Sequence, residues 1–285
     1  MRFQTLISPD ELDTELTSAT PPRVFDCSFE LADPDAGRRA YEAGHIPGAA
    51  YLHLDQVLSG EKTGSNGRHP LPPLDGFLAR MAALGVADDS QVVACDNAGG
   101  MYAARLWWML RWAGHADVAV LDGGIAAWRA DGHPLSTEAP APVPAGRLNR
   151  RPSLVTTLDY DDIRANLRQP GKLVLDARAP DRFRGENETL DKVGGHIPGA
   201  RNRLFKDNLG ADGRFKPADQ LRREFDAVTG GRPATEIVAQ CGSGVTACHN
   251  LLAMEVAGLG GAALYPGSWS EYSARPDAAI ATGDA

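Results

Sequence analysis

The sequence predicts an α/β protein made of two tandem copies of one fold, each a mainly parallel sheet flanked by helices on both faces. Three observations carry this. Short apolar runs such as Val92-Val93-Ala94 and Ile237-Val238-Ala239 alternate with helix-forming stretches, the pattern of strands joined by helical crossovers. Several segments recur at an offset close to 150: Gly44-His45-Ile46-Pro47-Gly48-Ala49 returns residue for residue as Gly195-His196-Ile197-Pro198-Gly199-Ala200. Residues 138–152 hold four prolines and no periodicity, which reads as a semi-rigid linker. The expected layout is residues 1–137, a linker at 138–152, and a second copy at 153–285.

The elements follow in order. Ser8-Pro9-Asp10-Glu11 starts a helix, with Ser8 as cap, Pro9 at the first helical position and Glu11 closing a capping box. That helix reaches about Leu16, and Pro21-Pro22 break the chain before a strand over Arg23–Asp26. A helix is expected over Ala36–Ala43. Residues 53–73 are polar, rich in Gly and Pro, and form a long irregular loop of the length that often carries function. A helix over Phe77–Leu84 ends at Gly85, a strand covers Gln91–Cys95, an apolar helix spans Met101–Trp112, and a strand covers Val118–Leu121. After the linker the plan repeats. A helix follows Thr157 or Asp159 to Leu167, a strand covers Leu173–Asp176, and Ile237–Gln240 matches Val92–Cys95. Ala263-Leu264-Tyr265 and Pro266–Tyr272 match Val120-Leu121 and Asp122–Trp128.

Composition narrows the classes. The chain has 285 residues, a net charge of −8, and the make-up of a globular domain pair. An acidic balance argues against non-specific nucleic-acid binding, which needs a cationic surface. No apolar window is long enough for a membrane span, and the first residues lack the apolar core of a secretory signal, so a cytoplasmic enzyme is expected. Cys27, Cys95, Cys241 and Cys248 form no C-x-x-C pair and no metal-ligand spacing with histidine. They are expected as thiols, with no metal and no organic cofactor.

The chemistry centres on Gln240-Cys241-Gly242-Ser243-Gly244-Val245-Thr246. A cysteine stands here where a strand stops and a helix begins. Two glycines let the backbone N–H groups turn inward, and the helix adds its free N–H groups and positive dipole end. A thiolate there is stabilised, and an anionic substrate would be held by the same donors. In the first copy the matching position is Asp96, so only the second copy has a nucleophile and the first is expected to be catalytically silent.

The paired Gly-His-Ile-Pro-Gly-Ala segments, the Asp122-Gly123-Gly124 and Pro266-Gly267-Ser268-Trp269 segments, and the Cys241–Thr246 loop together resemble the tandem-domain rhodanese-like sulfurtransferases. The resemblance covers essentially the whole chain. It implies two rhodanese-like domains and a persulfide intermediate on Cys241. Within the family, thiosulfate-preferring members typically carry Cys-Arg-Lys-Gly-Val-Thr, and 3-mercaptopyruvate sulfurtransferases carry Cys-Gly-Ser/Thr-Gly-Val-Thr. This loop has the second form, and a neutral loop suits a monoanionic keto acid better than a compact dianion.

The resemblance also maps a substrate-binding arginine onto Arg182, beside Gly242, Ser243, Gly244, Val245 and Thr246. An arginine clamps a carboxylate through two parallel hydrogen bonds. Many mercaptopyruvate enzymes have a second arginine a few residues on. Here Glu186–Asp191 stands in that place, with Asp191 near the expected position, and thiosulfate stays open as the alternative donor. His45 is carried over as a possible assisting residue with Ser243, or else as a histidine holding its own turn. His196, Arg178 and Arg184 read as structural, Asp26 and Asp176 as braces, Cys248 as packing, and Trp107, Trp108 and Trp112 as core anchors. The expected partners are a small sulfur donor and a thiophilic acceptor: cyanide, a thiol or thioredoxin. Two other classes have less support. Phosphatases that share this fold use a Cys-x5-Arg loop, and Ala247 stands where that arginine would be. Non-catalytic persulfide carriers commonly are single domains or lack the cysteine.

Overall fold

A computed structural model describes residues 2–284. The chain divides into two compact units. The first holds the residues up to Gly60, Leu71–Leu154 and Leu209–Phe215; the second holds Glu61–Pro70, Val155–Asn208 and the residues from Lys216 on.

The first unit runs β1 (Leu6–Ile7), α1 (Pro9–Leu16), β2 (Arg23–Asp26), α2 (Ala36–Ala43), β3 (Ala50–Tyr51), α3 (Leu54–Val57), α4 (Leu74–Ala83), β4 (Val92–Cys95), α5 (Ala103–Trp112), β5 (Val118–Leu121) and α6 (Gly124–Ala130). Its sheet has the order β1-β5-β4-β2-β3, all parallel. The second unit runs β6 (Thr156–Thr157), α7 (Tyr160–Arg168), β7 (Leu173–Asp176), α8 (Pro180–Arg184), β8 (Arg201–Asn202), α9 (Ala218–Thr229), β9 (Ile237–Gln240), α10 (Thr246–Val256), β10 (Ala263–Leu264) and α11 (Ser268–Tyr272). Its order, β6-β10-β9-β7-β8, repeats the first. The fold class is therefore the one expected, two parallel sheets flanked by helices.

Local chemistry explains the element ends. Ser8 and Glu11 close the expected capping box on α1, and Asp159 with Asp162 does the same for α7. The central strands β4 and β9 are wholly buried, as parallel strands covered on both faces must be. The two-residue edge strands β1, β3, β6 and β8 carry too little pattern to be legible in the sequence. Helix α9 is a further addition to the expected elements: Leu221 and Phe225 lie one turn apart on its buried face, and left-handed Gly230 ends it.

Two features depart from the expected layout. Residues 138–152 behave less as a free linker than as a strap on the first unit. Gly146 N donates to Ala82 O at 2.8 Å, Asp88 N to Arg147 O at 3.0 Å, and Leu154 N to Arg111 O at 3.0 Å. Within the loop at 53–73, residues 61–70 pack with the second unit. Directed bonds to Ser270 and Ser243 hold them there.

Each unit has its own apolar core. In the first, Leu12, Val24, Ile46, Val93, Leu121 and Trp128 cluster; in the second, Ile163, Val174, Ile197, Val238, Tyr265 and Trp269 do so. Trp107 and Trp108 are fully buried, and Trp107 Nε1 donates to Gln4 O at 2.8 Å.

Candidate active site

Strand β9 delivers Cys241 to the sheet's C-terminal edge, where ligands bind in open parallel sheets. The following loop curls around the sulfur. Gly244 N lies 3.1 Å and Ser243 N 3.5 Å from Cys241 Sγ, so two backbone N–H groups point at the thiol. Gly244 makes this possible: its φ is +78°, and a Cβ there would sit 2.4 Å from Pro266 O. Cys241 is 2 % exposed, so an anion on its sulfur is held by N–H donors rather than by bulk water.

A second layer holds the loop. Ser268 Oγ accepts from Cys241 N at 3.1 Å and donates to Tyr265 O at 2.9 Å. Trp269 N donates to Cys241 O and Ser270 N to Gly242 O, each at 2.9 Å. Ser268 has φ +52° and, among the described residues, is the only non-glycine with positive φ. Such backbone is costly for a residue with a Cβ and persists where its surroundings hold it.

The first unit shows the same architecture without the thiol. The Asp96 carboxylate fills the loop: Oδ1 accepts from Ala98 N and Gly100 N, and Oδ2 from Tyr102 N and Ala103 N, all within 2.9 Å. Gly124, with φ +59°, stands where Ser268 stands in the second unit. The anion-binding character of the loop is thus visible in both copies, satisfied in one by the chain's own carboxylate.

Arg182 and Ser243 both fall beside Cys241. A Cβ on Gly242 would lie 3.6 Å from Arg182 Nη2 and 3.7 Å from its Nη1. Arg182 is paired with Glu188 through Nε at 3.0 Å and Nη2 at 2.9 Å. Ser243 Oγ meets His69 Nδ1 at 2.7 Å. Both groups are buried. Val245 and Thr246 lead into α10, whose first turn carries Cys248, a buried thiol that donates to Gly244 O at 3.3 Å.

His45 belongs to the first unit, stacked on Tyr41, with Nδ1 2.7 Å from Tyr41 O and Nε2 3.1 Å from Glu138 O. Nδ1 therefore ties the ring to its own helix and Nε2 ties it to the strap. The histidine at Ser243 is His69, which lies inside the segment expected as an irregular loop. Only the segment's length and polarity point to it in the sequence. His196 holds its turn as expected, stacked on Phe183 with Nδ1 2.9 Å from Phe183 O. Arg178 forms a buried two-pronged pair with Asp176, at 2.6 Å for Nη2–Oδ2, and stacks over Trp269. Arg184 pairs with Glu186 at the surface.

Among the described residues no cluster of His, Cys, Asp or Glu could hold a metal ion, and no helix is long and apolar enough to cross a membrane.

Comparison with known proteins agrees with this architecture. The rhodanese-like domain matches twice, over residues 8–131 and 159–275. A probable 3-mercaptopyruvate sulfurtransferase of Pseudomonas aeruginosa is 49 % identical over 263 residues, covering 92 % of each chain. A thiosulfate sulfurtransferase of Cricetulus griseus is 36 % identical over 273 residues, covering 92 % of this chain and 89 % of its own. Among solved structures, 3-mercaptopyruvate sulfurtransferase from Leishmania major superposes with a TM-score of 0.85 at 33 % identity, covering 96 % of this chain and 76 % of that one.

Proposed function

This chain belongs to the rhodanese-like family and is a sulfurtransferase, and from that premise we propose that Cys241 carries the sulfur as a persulfide, with 3-mercaptopyruvate as the preferred donor. The observation that carries the reading is the pair of N–H groups aimed at Cys241 Sγ in a buried loop with no charged side chain of its own.

In the first half-reaction the Cys241 thiolate attacks the donor sulfur. A sulfur–sulfur bond forms and the donor's carbon–sulfur bond breaks, its electron pair staying on carbon as the enolate of pyruvate. That enolate takes a proton to give pyruvate, and the new persulfide loses one. The loop N–H groups hold the persulfide anion where charge develops. Ser243, polarised by His69 at 2.7 Å, is the hydroxyl that meets the keto-acid oxygen and passes the proton. Arg182 orients the donor carboxylate. In the second half-reaction cyanide, a thiol or thioredoxin attacks the outer sulfur and restores the thiolate. Two half-reactions through one covalent intermediate give ping-pong kinetics. With thiosulfate the leaving group is sulfite, and no proton is needed. The first unit, with Asp96 at the matching position, takes no part as a nucleophile.

Incubation with 3-mercaptopyruvate should add one sulfur atom to Cys241, release pyruvate and fail in Cys241→Ser, as read by mass spectrometry. The ratio of kcat/KM for 3-mercaptopyruvate and thiosulfate, with cyanide as acceptor, then assigns the donor. A higher value for thiosulfate overturns the donor and leaves the persulfide standing. Sulfur on any other cysteine overturns both.

A further inference from the structure

The corner that frames the active loop differs between the two copies at three neighbouring side chains. Matching Pro266–Tyr272 to Asp122–Trp128 and counting on in both directions without a gap, Tyr265, Glu271 and Arg275 stand where the first unit has Leu121, Ala127 and Asp131. Both corners contain a glycine with the residue four positions on folded against it. A Cβ on Gly123 would lie 2.5 Å from Ala127 Cβ, and a Cβ on Gly267 would fall on the Glu271 carboxylate, at Oε2. A methyl group therefore backs the corner in the first unit, and a carboxylate backs it in the second.

That carboxylate is built into the unit. Its side chain is 14 % exposed, and Oε1 accepts from Arg275 Nη2 at 2.9 Å. Arg275 in turn lies over the Tyr160 ring, 4.8 Å from its centroid, which ties the pair to α7. Burial, and after it the Glu271 charge, pushes the Tyr265 hydroxyl far above its usual range. In the first unit Asp131 turns instead to Arg214, at 2.6 Å. A largely buried ion pair adds little net stability over apolar packing, which the first unit uses here at Leu121 and Ala127. The backbone beside the pair supplies a different reason for it. Gly267 precedes Ser268, whose φ of +52° takes the place of Gly124. Left-handed backbone is unfavourable for a residue with a Cβ and persists where its neighbours over-determine it.

We propose that Glu271 is a positioning residue: anchored by Arg275, its carboxylate holds Gly267 and with it the left-handed turn at Ser268, so that Ser268 Oγ stays on Cys241 N and the loop N–H groups stay aimed at Cys241 Sγ. The proposal rests on the reading that Cys241 carries the sulfur, and it names what keeps that residue's cradle in shape. The first unit needs no such device. Its corner has Gly124, which adopts φ +59° without strain, and no thiol to align. The role is steric rather than electrostatic, and the two predict opposite signs. Loss of a nearby anion by itself stabilises the Cys241 thiolate. A loosened corner turns N–H donors away from the sulfur and destabilises it.

The rate of Cys241 alkylation by iodoacetamide against pH, followed on the Cys241 peptide by mass spectrometry, tests this without any sulfur transfer. Glu271→Ala should raise the midpoint by about one pH unit, tenfold in the ratio of thiolate to thiol. Glu271→Gln keeps the reach and an acceptor for Arg275, and should stay within about twofold of wild type. Glu271→Asp keeps the charge but is one carbon short, and should shift upward by less than alanine does. In a Ser268→Gly chain, whose corner needs no holding, Glu271→Ala should add less than about twofold. With 3-mercaptopyruvate, kcat should fall in the order of the midpoints while KM stays within about twofold. A midpoint unmoved or lowered in Glu271→Ala, a glutamine variant shifted as far as alanine, or an equal rise in the Ser268→Gly chain overturns the proposal. If Glu271→Ala has lost its native circular dichroism, Glu271→Asp is read instead, and an unmoved midpoint there overturns it. A chain that shows this alkylation pattern but takes up no sulfur from either donor overturns the functional reading and leaves the positioning role standing.

Discussion

Ser268 Oγ accepts the backbone N–H of Cys241 at 3.1 Å, and Ser268 does so from a left-handed backbone that the first unit assigns to a glycine, Gly124. The duplicated fold demands this corner in both units. Only the second places a hydroxyl there, and that hydroxyl satisfies the nucleophile's own amide.

Two opposed terms make the pair testable. Ser268→Ala and Ser268→Gly both leave the buried Cys241 N–H without its acceptor, at about 1–3 kcal/mol. The glycine variant also relieves the left-handed strain, worth about 1–2 kcal/mol. Urea unfolding should therefore place Ser268→Ala below both wild type and Ser268→Gly, with kcat/KM reduced in both variants. An alanine variant as stable as wild type would show that Ser268 holds nothing.

The His69–Ser243 contact, 2.7 Å between Nδ1 and Oγ, makes a prediction that depends on the donor. Release of pyruvate needs a proton; release of sulfite does not. Ser243→Ala and His69→Gln should each lower kcat with 3-mercaptopyruvate by on the order of 10². The double variant should be little worse than either single one, because the two act as a unit. With thiosulfate the loss should stay near about 1 kcal/mol, the worth of one hydrogen bond. Equal losses on both donors would place the pair in loop structure rather than proton transfer.

In the first unit, Asp26 predicts a pH dependence of stability. Burial raises its carboxyl to about 6 from 3.8, helped by the neighbouring Asp96 and opposed by the hydrogen bond from Ser28. Its Oδ1 accepts from Ser28 N at 2.8 Å, while Oδ2 is buried without a hydrogen-bond partner. A folded-state value above the unfolded one means that the stabilisation is full below pH 3.8 and is lost as pH rises through 6. A rise of that size is worth about 3 kcal/mol. Asp26→Asn keeps the Ser28 acceptor and cannot ionise. Its melting temperature should therefore gain on that of wild type from about pH 4 to about pH 6 and level off above that. Parallel melting curves across that range would show that Asp26 stays charged or exchanges with water.

The second unit meets the same buried charge differently. Asp176 accepts from Arg178 N at 3.0 Å in the same turn, but there the side chain two residues on is a guanidinium that takes both its oxygens. Ser28 stands at that place in the first unit. The two copies thus share a backbone device and differ in how its charge is compensated.

What the sequence determined by itself was local. The strand–Cys241–Gly-x-Gly–helix geometry is written in consecutive residues, because strand burial, the glycine turn and the helix start are all near-neighbour effects. The duplication made the fold legible, since each half confirmed the other's pattern, and it marked Asp96 as the position without a thiol. Arg182 was reached through the family resemblance rather than through local pattern, and the structure sets its guanidinium near Gly242. The tertiary structure alone decided the rest. His69 and Ser243 are 174 residues apart, and Arg68 and Asp191 are 123 apart. No periodicity links such pairs. A segment rich in Gly and polar residues has no apolar face to show where it packs. Its place is set by a few directed bonds, from Arg68 N to Ser270 and from His69 to Ser243, which exist only once the second unit has folded.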